Sequence, residues 1–348
     1  MVFLVSMFRQ AAATSAIAAA VILSPIVTAI AQAQSVQLNG AGATFPAPLY
    51  QRYFQEFGRD SGIQVNYQAV GSGAGIRQVI AGTVQFGGTD AYMTDEQRAQ
   101  VEEGVILVPT AGGAVAVVYN LPGVSNLRLS SAVLPDIFAG QISRWNDPRI
   151  AADNPGVNLP DLPIRSVVRA DSSGTTSIFT NHLSTISPYF RGRVGASTAP
   201  RWTTNPIRGN GNPGVAAQVQ RTVGGIGYVE YAFAKQNNLQ TALVQNRNSR
   251  EFVAPSLETA QVALAGVEFD ENFRAANSDP RSGYPIVGIT WLMVYENYSD
   301  PAIEAAVERM VNWVLTEGQQ INNELDYTRI PEAVAAEARQ AVDAALGE

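Results

Sequence analysis

The chain contains, at the end of an apolar segment, the sequence Val167-Val168-Arg169-Ala170-Asp171-Ser172-Ser173-Gly174-Thr175-Thr176. It runs from a predicted strand through a short polar turn into the start of a predicted helix. Arg169 offers a planar set of N–H donors, and Ser173 and Thr175 offer hydroxyl groups. Gly174 has no side chain to keep a ligand away from the backbone N–H groups of the helix. These donors predict an anion-binding turn at the carboxyl end of a strand.

Asp171 does not fit a simple anion site, because a carboxylate repels a bound anion. A ligand that carries a proton, such as hydrogen phosphate, removes this objection, since the carboxylate can accept that proton. A plain ion pair between Arg169 and Asp171 beside a helix N-cap explains the same residues. The segment alone leaves both interpretations open.

Composition limits the class of protein. With 348 residues, 46% hydrophobic and 15% charged, the chain is expected to fold into two domains or lobes rather than stay disordered. A formal net charge of −7 without a run of basic residues argues against a nucleic-acid partner. The absence of cysteine excludes disulfides and thiolate chemistry and suits an oxidising compartment.

The first 33 residues are typical of a secretory signal peptide. Arg9 is their only charge, residues 11–30 are almost wholly apolar and small, and Ala31-Gln32-Ala33 offers a cleavage site. A retained membrane anchor is the alternative, because the apolar run approaches the ~20 residues that span a bilayer. Pro25 interrupts the run and favours cleavage.

Small polar residues follow predicted strands at four points of the chain. Three of these points provide Thr44, Ser72 and Asp90, each next to glycines, and the fourth is the 167–176 segment. Three of the four lead directly into a predicted helix. In an open α/β sheet such junctions lie where ligands bind, so the pattern predicts one shared site.

Two long apolar segments, 105–120 and 285–295, are predicted strands. The first is interrupted by Gly112-Gly113 and is either two successive strands or one strand that crosses between lobes. The tail from 301 to 346 is predicted to be helical, with a second helix after Pro331.

Catalysis finds little support in the residues. His182 is the only histidine, and it lies about 2.5 helical turns, or ~13 Å, from Ser173, so the two cannot form a nucleophile–base pair. Without cysteine and with one histidine only an oxygen-ligand metal site is possible, and Arg169 would repel the cation. Asp90 and Asp171 could be an acid–base pair, but nothing beside them resembles a nucleophile. Binding without metal or cofactor therefore needs fewer assumptions.

Five motifs in chain order resemble those of the PstS family, the phosphate-binding proteins of bacterial phosphate ABC transporters. They cover nearly all of the chain after the predicted signal peptide. The motifs are Gly40–Pro48, Tyr67–Gly73, Phe86–Asp90, Arg169–Thr175 and Gly225–Ala232.

The resemblance implies a set of ligand residues. Asp90 takes the role of proton acceptor for phosphate, while Asp171 pairs with Arg169 and orients it. The phosphate-binding residues implied are Thr44, the Phe45 N–H, Ser72, Asp90, Arg169, Asp171, Ser173, Gly174 and Thr175. Through Asp90 the site is expected to prefer phosphate over sulfate, which has no proton to donate at neutral pH.

The resemblance also implies an α/β fold of two lobes, similar to type II periplasmic binding proteins, with two crossing hinge strands and a ligand cleft between the lobes. The expected boundaries are 1–33 for the signal peptide, 34–117 plus 289–348 for the terminal lobe, and 118–288 for the central lobe.

The implied function is high-affinity binding of inorganic phosphate in the periplasm. Lobe closure around hydrogen phosphate precedes delivery to the permease subunits of an ABC transporter in the inner membrane. The protein is expected to be a monomer and not an enzyme. The alternatives are a receptor for another tetrahedral oxyanion, a secreted phosphatase-like enzyme, and a phosphate sensor that docks a signalling partner.

Overall fold

The computed structural model describes residues 36–275 and 278–347, and the predicted signal peptide lies outside them. The strands are β1 (Gln37–Gly42), β2 (Gln64–Ala69), β3 (Phe86–Thr89), β4 (Ile106–Asn120), β5 (Arg128–Leu129), β6 (Arg165–Arg169), β7 (Ile207–Gly209), β8 (Gly225–Glu230), β9 (Gln240–Thr241), β10 (Leu243–Gln245), β11 (Phe252–Val253) and β12 (Val287–Val294).

Helices alternate with these strands. They are α1 (Ala47–Ser61), α2 (Ser72–Ile80), α3 (Asp95–Arg98), α4 (Val133–Phe138), α5 (Pro148–Asp153), α6 (Gly174–Ile186), α7 (Pro188–Arg193), α8 (Gly211–Arg221), α9 (Tyr231–Gln236), α10 (Leu257–Leu264), α11 (Pro301–Val314), α12 (Gly318–Asn322) and α13 (Glu332–Leu346), with a 3-10 turn at Asn323–Leu325. No helix within the described ranges is both long enough and apolar enough to cross a membrane.

The strands form a nine-stranded sheet in the order β2-β1-β3-β12-β4-β8-β6-β7, with β9 also paired to β4. A smaller sheet has the order β11-β10-β5. Strands β1, β2 and β3 are parallel, as are β6, β7 and β8, whereas β12 is antiparallel to β3 and β4. Each parallel group therefore directs the carboxyl ends of its strands to one edge.

Strand β4 belongs to both halves of this sheet. Its residues Ile106–Ala114 pair with β12, and Val115–Asn120 pair with β8. The 105–120 segment is therefore one continuous strand, and Gly112-Gly113 does not end it. The predicted two-lobe α/β fold is confirmed, while the lobe boundaries at 117/118 and 288/289 stay a prediction.

Helix α1 shows how local sequence sets an element. Pro48 stands in the first turn, where a missing N–H costs little. The predicted apolar face is buried, and it consists of Leu49, Tyr50, Tyr53, Phe54 and Phe57. Burial of each such side chain stabilises the fold by about 1.5–3 kcal/mol. Gly62 ends the helix with a φ of 75°, a left-handed conformation that suits glycine.

Helix α6, which carries part of the predicted site, is held against β8 by an aromatic stack. The rings of Phe179 and Tyr228 lie 4.2 Å apart between centroids. The Tyr228 hydroxyl lies 2.8 Å from Oγ1 of Thr176 in the first turn of the helix. Packing and this hydrogen bond together fix where the N-terminus of α6 begins.

The helical tail agrees with its prediction, because α13 starts directly after Pro331. His182 is buried in α6, and its Nδ1 lies 2.7 Å from the Ser278 carbonyl oxygen. Burial lowers the pKa of this histidine to about 4. It is a neutral core residue at physiological pH.

Candidate functional site

The predicted strand-to-turn junctions meet in space. Ser72, at the start of α2, accepts a hydrogen bond at 3.1 Å from the N–H of Gly174, at the start of α6. The same Ser72 Oγ accepts the N–H of Asp90, after β3, at 3.2 Å. In the same region the Gly73 N–H donates to the carbonyl oxygen of Ser172 at 3.0 Å. Residues 102 positions apart along the chain thus lie within one hydrogen bond of each other.

Arg169 is buried, and its guanidinium is held by a bidentate ion pair. Nε and Nη2 donate to Oδ1 and Oδ2 of Asp171 at 2.9 and 2.5 Å, and Nη1 donates to Oγ1 of Thr175 at 3.3 Å. The Gly211 N–H also donates to Asp171, at 3.0 Å. Partial burial opposes ionisation of Asp171, but the hydrogen bonds and charge of Arg169 outweigh it and lower the pKa. Asp171 is therefore ionised and committed to Arg169.

Asp90 has a different environment. Its carboxyl is buried, with Oδ1 accepting from the Thr290 hydroxyl at 2.8 Å and Oδ2 lying 3.4 Å from Ser72 Oγ. Burial raises the pKa to about 7, and the rise is limited by the Thr290 hydrogen bond and by the charge of Arg169. The environments of Asp171 and Asp90 thus move their pKa values in opposite directions. Asp171 stays charged, and Asp90 exchanges a proton near neutral pH.

Four helices of eight or more residues begin at the site: α1, α2, α6 and α8. The first N–H groups of a helix have no intrahelical partner, and the helix dipole makes this end attractive to anions. In α6, Ser173 Oγ accepts the Thr176 N–H at 3.1 Å, and Gly174 uses its N–H on Ser72. Ser173 is therefore the N-cap of α6, with its hydroxyl hydrogen still available.

Phe45 contributes only its backbone. Its ring is buried and packs edge-on against Tyr327, with centroids 6.0 Å apart. Its carbonyl oxygen accepts the Tyr327 hydroxyl at 2.7 Å. This anchoring fixes the peptide that follows Thr44, including the Phe45 N–H predicted to contact a ligand.

Two further residues join the site that sequence reasoning did not include. Asn212, in the first turn of α8, donates from Nδ2 to Thr44 and to Thr175 at 2.9 and 3.1 Å. Thr290, on β12, holds the carboxyl of Asp90. The glycine-rich turn before α8 is the same signal as at the other junctions, and it could have identified Asn212.

The site is rich in hydrogen-bond donors. Its buried groups are one guanidinium, several hydroxyls and the N–H groups of helix starts, together with the single carboxyl of Asp90 that is not neutralised by an ion pair. Such a set binds a small polar anion through many hydrogen bonds and leaves one acceptor for a ligand proton. No nucleophile–base pair lies among these residues.

Comparisons with known proteins identify the class. The family model described as "PBP superfamily domain" matches residues 27–317. The phosphate-binding protein PstS of Pasteurella multocida is 39% identical over 307 residues, which cover 86% of this chain and 88% of that protein. PstS of Haemophilus influenzae is 37% identical over 310 residues, which cover 87% of this chain and 92% of that protein.

Solved structures agree on the fold. A high-affinity periplasmic phosphate-binding protein, PfluDING, bound with phosphate, superposes with a TM-score of 0.71 at 21% identity, covering 88% of this chain and 93% of that one. The structure of a "Putative Phosphate ABC Transporter Substrate-Binding Protein" from Clostridium perfringens, solved with bound phosphate, superposes with a TM-score of 0.62 at 17% identity, covering 85% of this chain and 100% of that one. The chain therefore belongs to the PBP superfamily and, within it, to the PstS family of phosphate-binding proteins, as its five motifs indicated.

Proposed function

We propose that this protein binds inorganic phosphate, as hydrogen phosphate, between its two lobes and delivers it to the permease of an ABC transporter. The proposal is supported by family membership and by a buried, donor-rich site with one proton acceptor. The proposed ligand groups are Thr44, the Phe45 N–H, Ser72, Asp90, Arg169, Ser173, Gly174 and Thr175, with Asp171 orienting Arg169.

The observation that carries the proposal is the position of Asp90. Its buried carboxyl lies next to Ser72 and the start of α6, among donors that all suit an anion. A second negative charge in such a place is tolerated only if a proton is shared between ligand and carboxylate. Hydrogen phosphate and dihydrogen phosphate can supply that proton, whereas sulfate at neutral pH cannot.

The contact between Ser72 and Gly174 supports closure as the mode of capture. Thr44, Ser72 and Asp90 belong to the proposed terminal lobe, and Arg169 to Thr175 belong to the central lobe. A ligand bonded by both sets stabilises the closed arrangement over an open one. The closed form is then the one that a permease recognises.

The predicted signal peptide at 1–33 supports secretion, and we place the protein in the periplasm as a monomeric binding protein. The absence of a nucleophile–base pair at the site supports binding without turnover. A chromogenic phosphate ester incubated with the protein is expected to stay intact.

Calorimetric titration of the chain from Gln34 onward tests the function. At pH 8.5, above the pKa of Asp90, we expect phosphate to bind one per protein and sulfate to bind at least about 10-fold more weakly, since a site built around a ligand proton rejects an analogue without it. Arsenate keeps the proton and is expected to compete with phosphate. The Asp90→Asn variant should lose most of the preference over sulfate. No heat with phosphate would overturn the function, and an unchanged preference in Asp90→Asn would overturn the role of Asp90.

A further inference from the structure

Two threonine hydroxyls at the site each accept two hydrogen bonds from the protein. Thr44 Oγ1 accepts the backbone N–H of Asn212 at 3.1 Å and its Nδ2 at 2.9 Å. Thr175 Oγ1 accepts Nδ2 of the same Asn212 at 3.1 Å and Nη1 of Arg169 at 3.3 Å. A hydroxyl has two lone pairs and one hydrogen. With both lone pairs used, the hydrogen must go to another acceptor.

The orientation of the Asn212 amide follows from its other contact. Its Oδ1 accepts the backbone N–H of Glu230 at 2.9 Å. A backbone N–H can only donate, so the amide oxygen must face Glu230 and the NH₂ group must face the two threonines. The side chain is fully buried, and three hydrogen bonds to Thr44, Thr175 and Glu230 fix it.

Asn212 also links parts of the fold that come from distant segments. Thr44 precedes α1, Thr175 lies in α6, and Asn212 lies in the first turn of α8. Gly211, beside it, has a φ of +65° and donates its N–H to Asp171. One turn therefore holds both the Arg169–Asp171 pair and the two threonine hydroxyls.

We propose that Asn212 is a positioning residue that fixes Thr44 and Thr175 as hydrogen-bond donors toward the bound anion. The proposal rests on the proposed function, because it assigns the direction of two hydroxyls to a phosphate ligand. Asn212 touches neither phosphate nor proton itself. It prevents the threonines from turning their lone pairs toward the ligand, and thereby keeps Asp90 as the acceptor at the site.

A double-mutant cycle tests this role by calorimetry. Asn212→Leu is made in the wild-type protein and in the Thr44→Val/Thr175→Val background, and phosphate affinity is measured for all four proteins. We expect Asn212→Leu to weaken binding at least about 10-fold in the wild type and less than about 2-fold where the hydroxyls are absent. If Asn212 had a purely structural role, Asn212→Leu would lower the phosphate affinity by the same factor in both backgrounds. That result would overturn the proposal.

Asn154→Leu is the matched control. Asn154 is a buried asparagine with three hydrogen bonds, all of them to the backbone of Arg128 and Ile150 outside the site. We expect this variant to lower the melting temperature and leave phosphate affinity unchanged.

Neutron diffraction of the wild-type protein with phosphate keeps the proposal testable if the variants do not fold. The expected result places the hydroxyl deuterium of Thr44 and of Thr175 on the line to a phosphate oxygen. Deuterium directed at Asn212 would overturn the inference while leaving phosphate binding intact. A wild-type protein that binds no phosphate would instead overturn the proposed function and this inference together.

Discussion

Gly174 faces the side chain of Asp90 so closely that a Cβ atom at position 174 would lie 2.5 Å from the Asp90 Cβ. The same added atom would lie 2.5 Å from Ser72 Oγ. Real Cβ atoms do not approach other atoms this closely, so the start of α6 can lie against Ser72 and Asp90 only because residue 174 is glycine. The glycine is needed for this close approach rather than for an unusual backbone angle.

Replacement of Gly174 by alanine is expected to weaken phosphate binding by at least about 10-fold, because the methyl group holds the lobes apart. Folding should be little affected, since alanine favours a helix over glycine by about 1 kcal/mol. Calorimetry gives the affinity, and small-angle scattering with phosphate should show a larger radius of gyration than for the wild type. Gly192→Ala, in α7, is the control, because nothing lies within 4 Å of its added Cβ. Equal affinities for Gly174→Ala and Gly192→Ala would contradict the role of this contact.

Asp171→Asn is expected to weaken phosphate binding and to destabilise the fold by roughly 1–3 kcal/mol, because it leaves the buried guanidinium of Arg169 without its counter-charge. Thermal unfolding and calorimetry measure the two effects. Asp161→Asn removes the partner of Arg144 in an exposed ion pair and should change stability by less than about 1 kcal/mol. A result in which both variants behave alike would mean that the Asp171 pair does not orient Arg169.

Sulfate binding is expected to strengthen as the pH falls from 8 to 5. Burial raises the pKa of Asp90 to about 7, so the carboxyl is ionised and repels sulfate above that pH, and is neutral and able to donate a hydrogen bond below it. Sulfate does not titrate in this range, so its dissociation constant reports the protein alone. In Asp90→Asn the sulfate affinity should not vary with pH. A pH-independent sulfate affinity in the wild type would exclude titration of Asp90.

Glu230 is expected to make the free energy of unfolding depend on pH. Its carboxyl is buried, lies 2.9 Å from the Tyr327 hydroxyl oxygen and accepts the Ala232 N–H at 3.0 and 2.9 Å, and burial raises the pKa from 4.5 to about 8. Above pH 4.5 the unfolded chain releases the Glu230 proton, whereas the folded protein still holds it. The contribution of this group to stability is therefore fully present below pH 4.5 and is lost as the pH rises through 8.

Denaturant unfolding at pH 6 and pH 9 measures this effect. From pH 6 to pH 9 the free energy of unfolding should fall in both proteins. The fall in the wild type should exceed that in Glu230→Gln by more than about 1 kcal/mol, since each pKa unit corresponds to about 1.4 kcal/mol. The pKa of Asp90 is raised as well, so both carboxyls contribute to the pH dependence of the wild type. Comparison with Glu230→Gln isolates the contribution of Glu230. Parallel pH profiles for wild type and variant would show that Glu230 does not hold the proton.

Local sequence was enough to predict the junctions that carry Thr44, Ser72, Asp90 and the 167–176 segment. Each consists of an apolar strand, a small polar turn and, in three cases, a helix start, and these signals are read from neighbouring residues. Their convergence followed from the general rule that ligands bind at the carboxyl ends of parallel strands.

The hydrogen bonds of Asn212 and Thr290 escaped prediction because they depend on distant pairing, although the glycine-rich turn before α8 marked the position of Asn212. Strand β7, before Asn212, has only three residues, too few for a periodic pattern. Thr290 reaches Asp90 because antiparallel β12 sets Trp291 opposite Thr89, a register that no local signal specifies. For the same reason the sequence left open whether 105–120 was one strand or two.

Strand β4 changes partner between Ala114 and Val115 without a break, so one continuous strand belongs to both halves of the sheet. Rotation of one proposed lobe against the other must twist strand β4, since the strand contains no loop between its two halves. We therefore expect the stiffness of this buried strand to limit opening of the cleft, and backbone amide exchange near residues 114 and 115 would report how often the cleft opens.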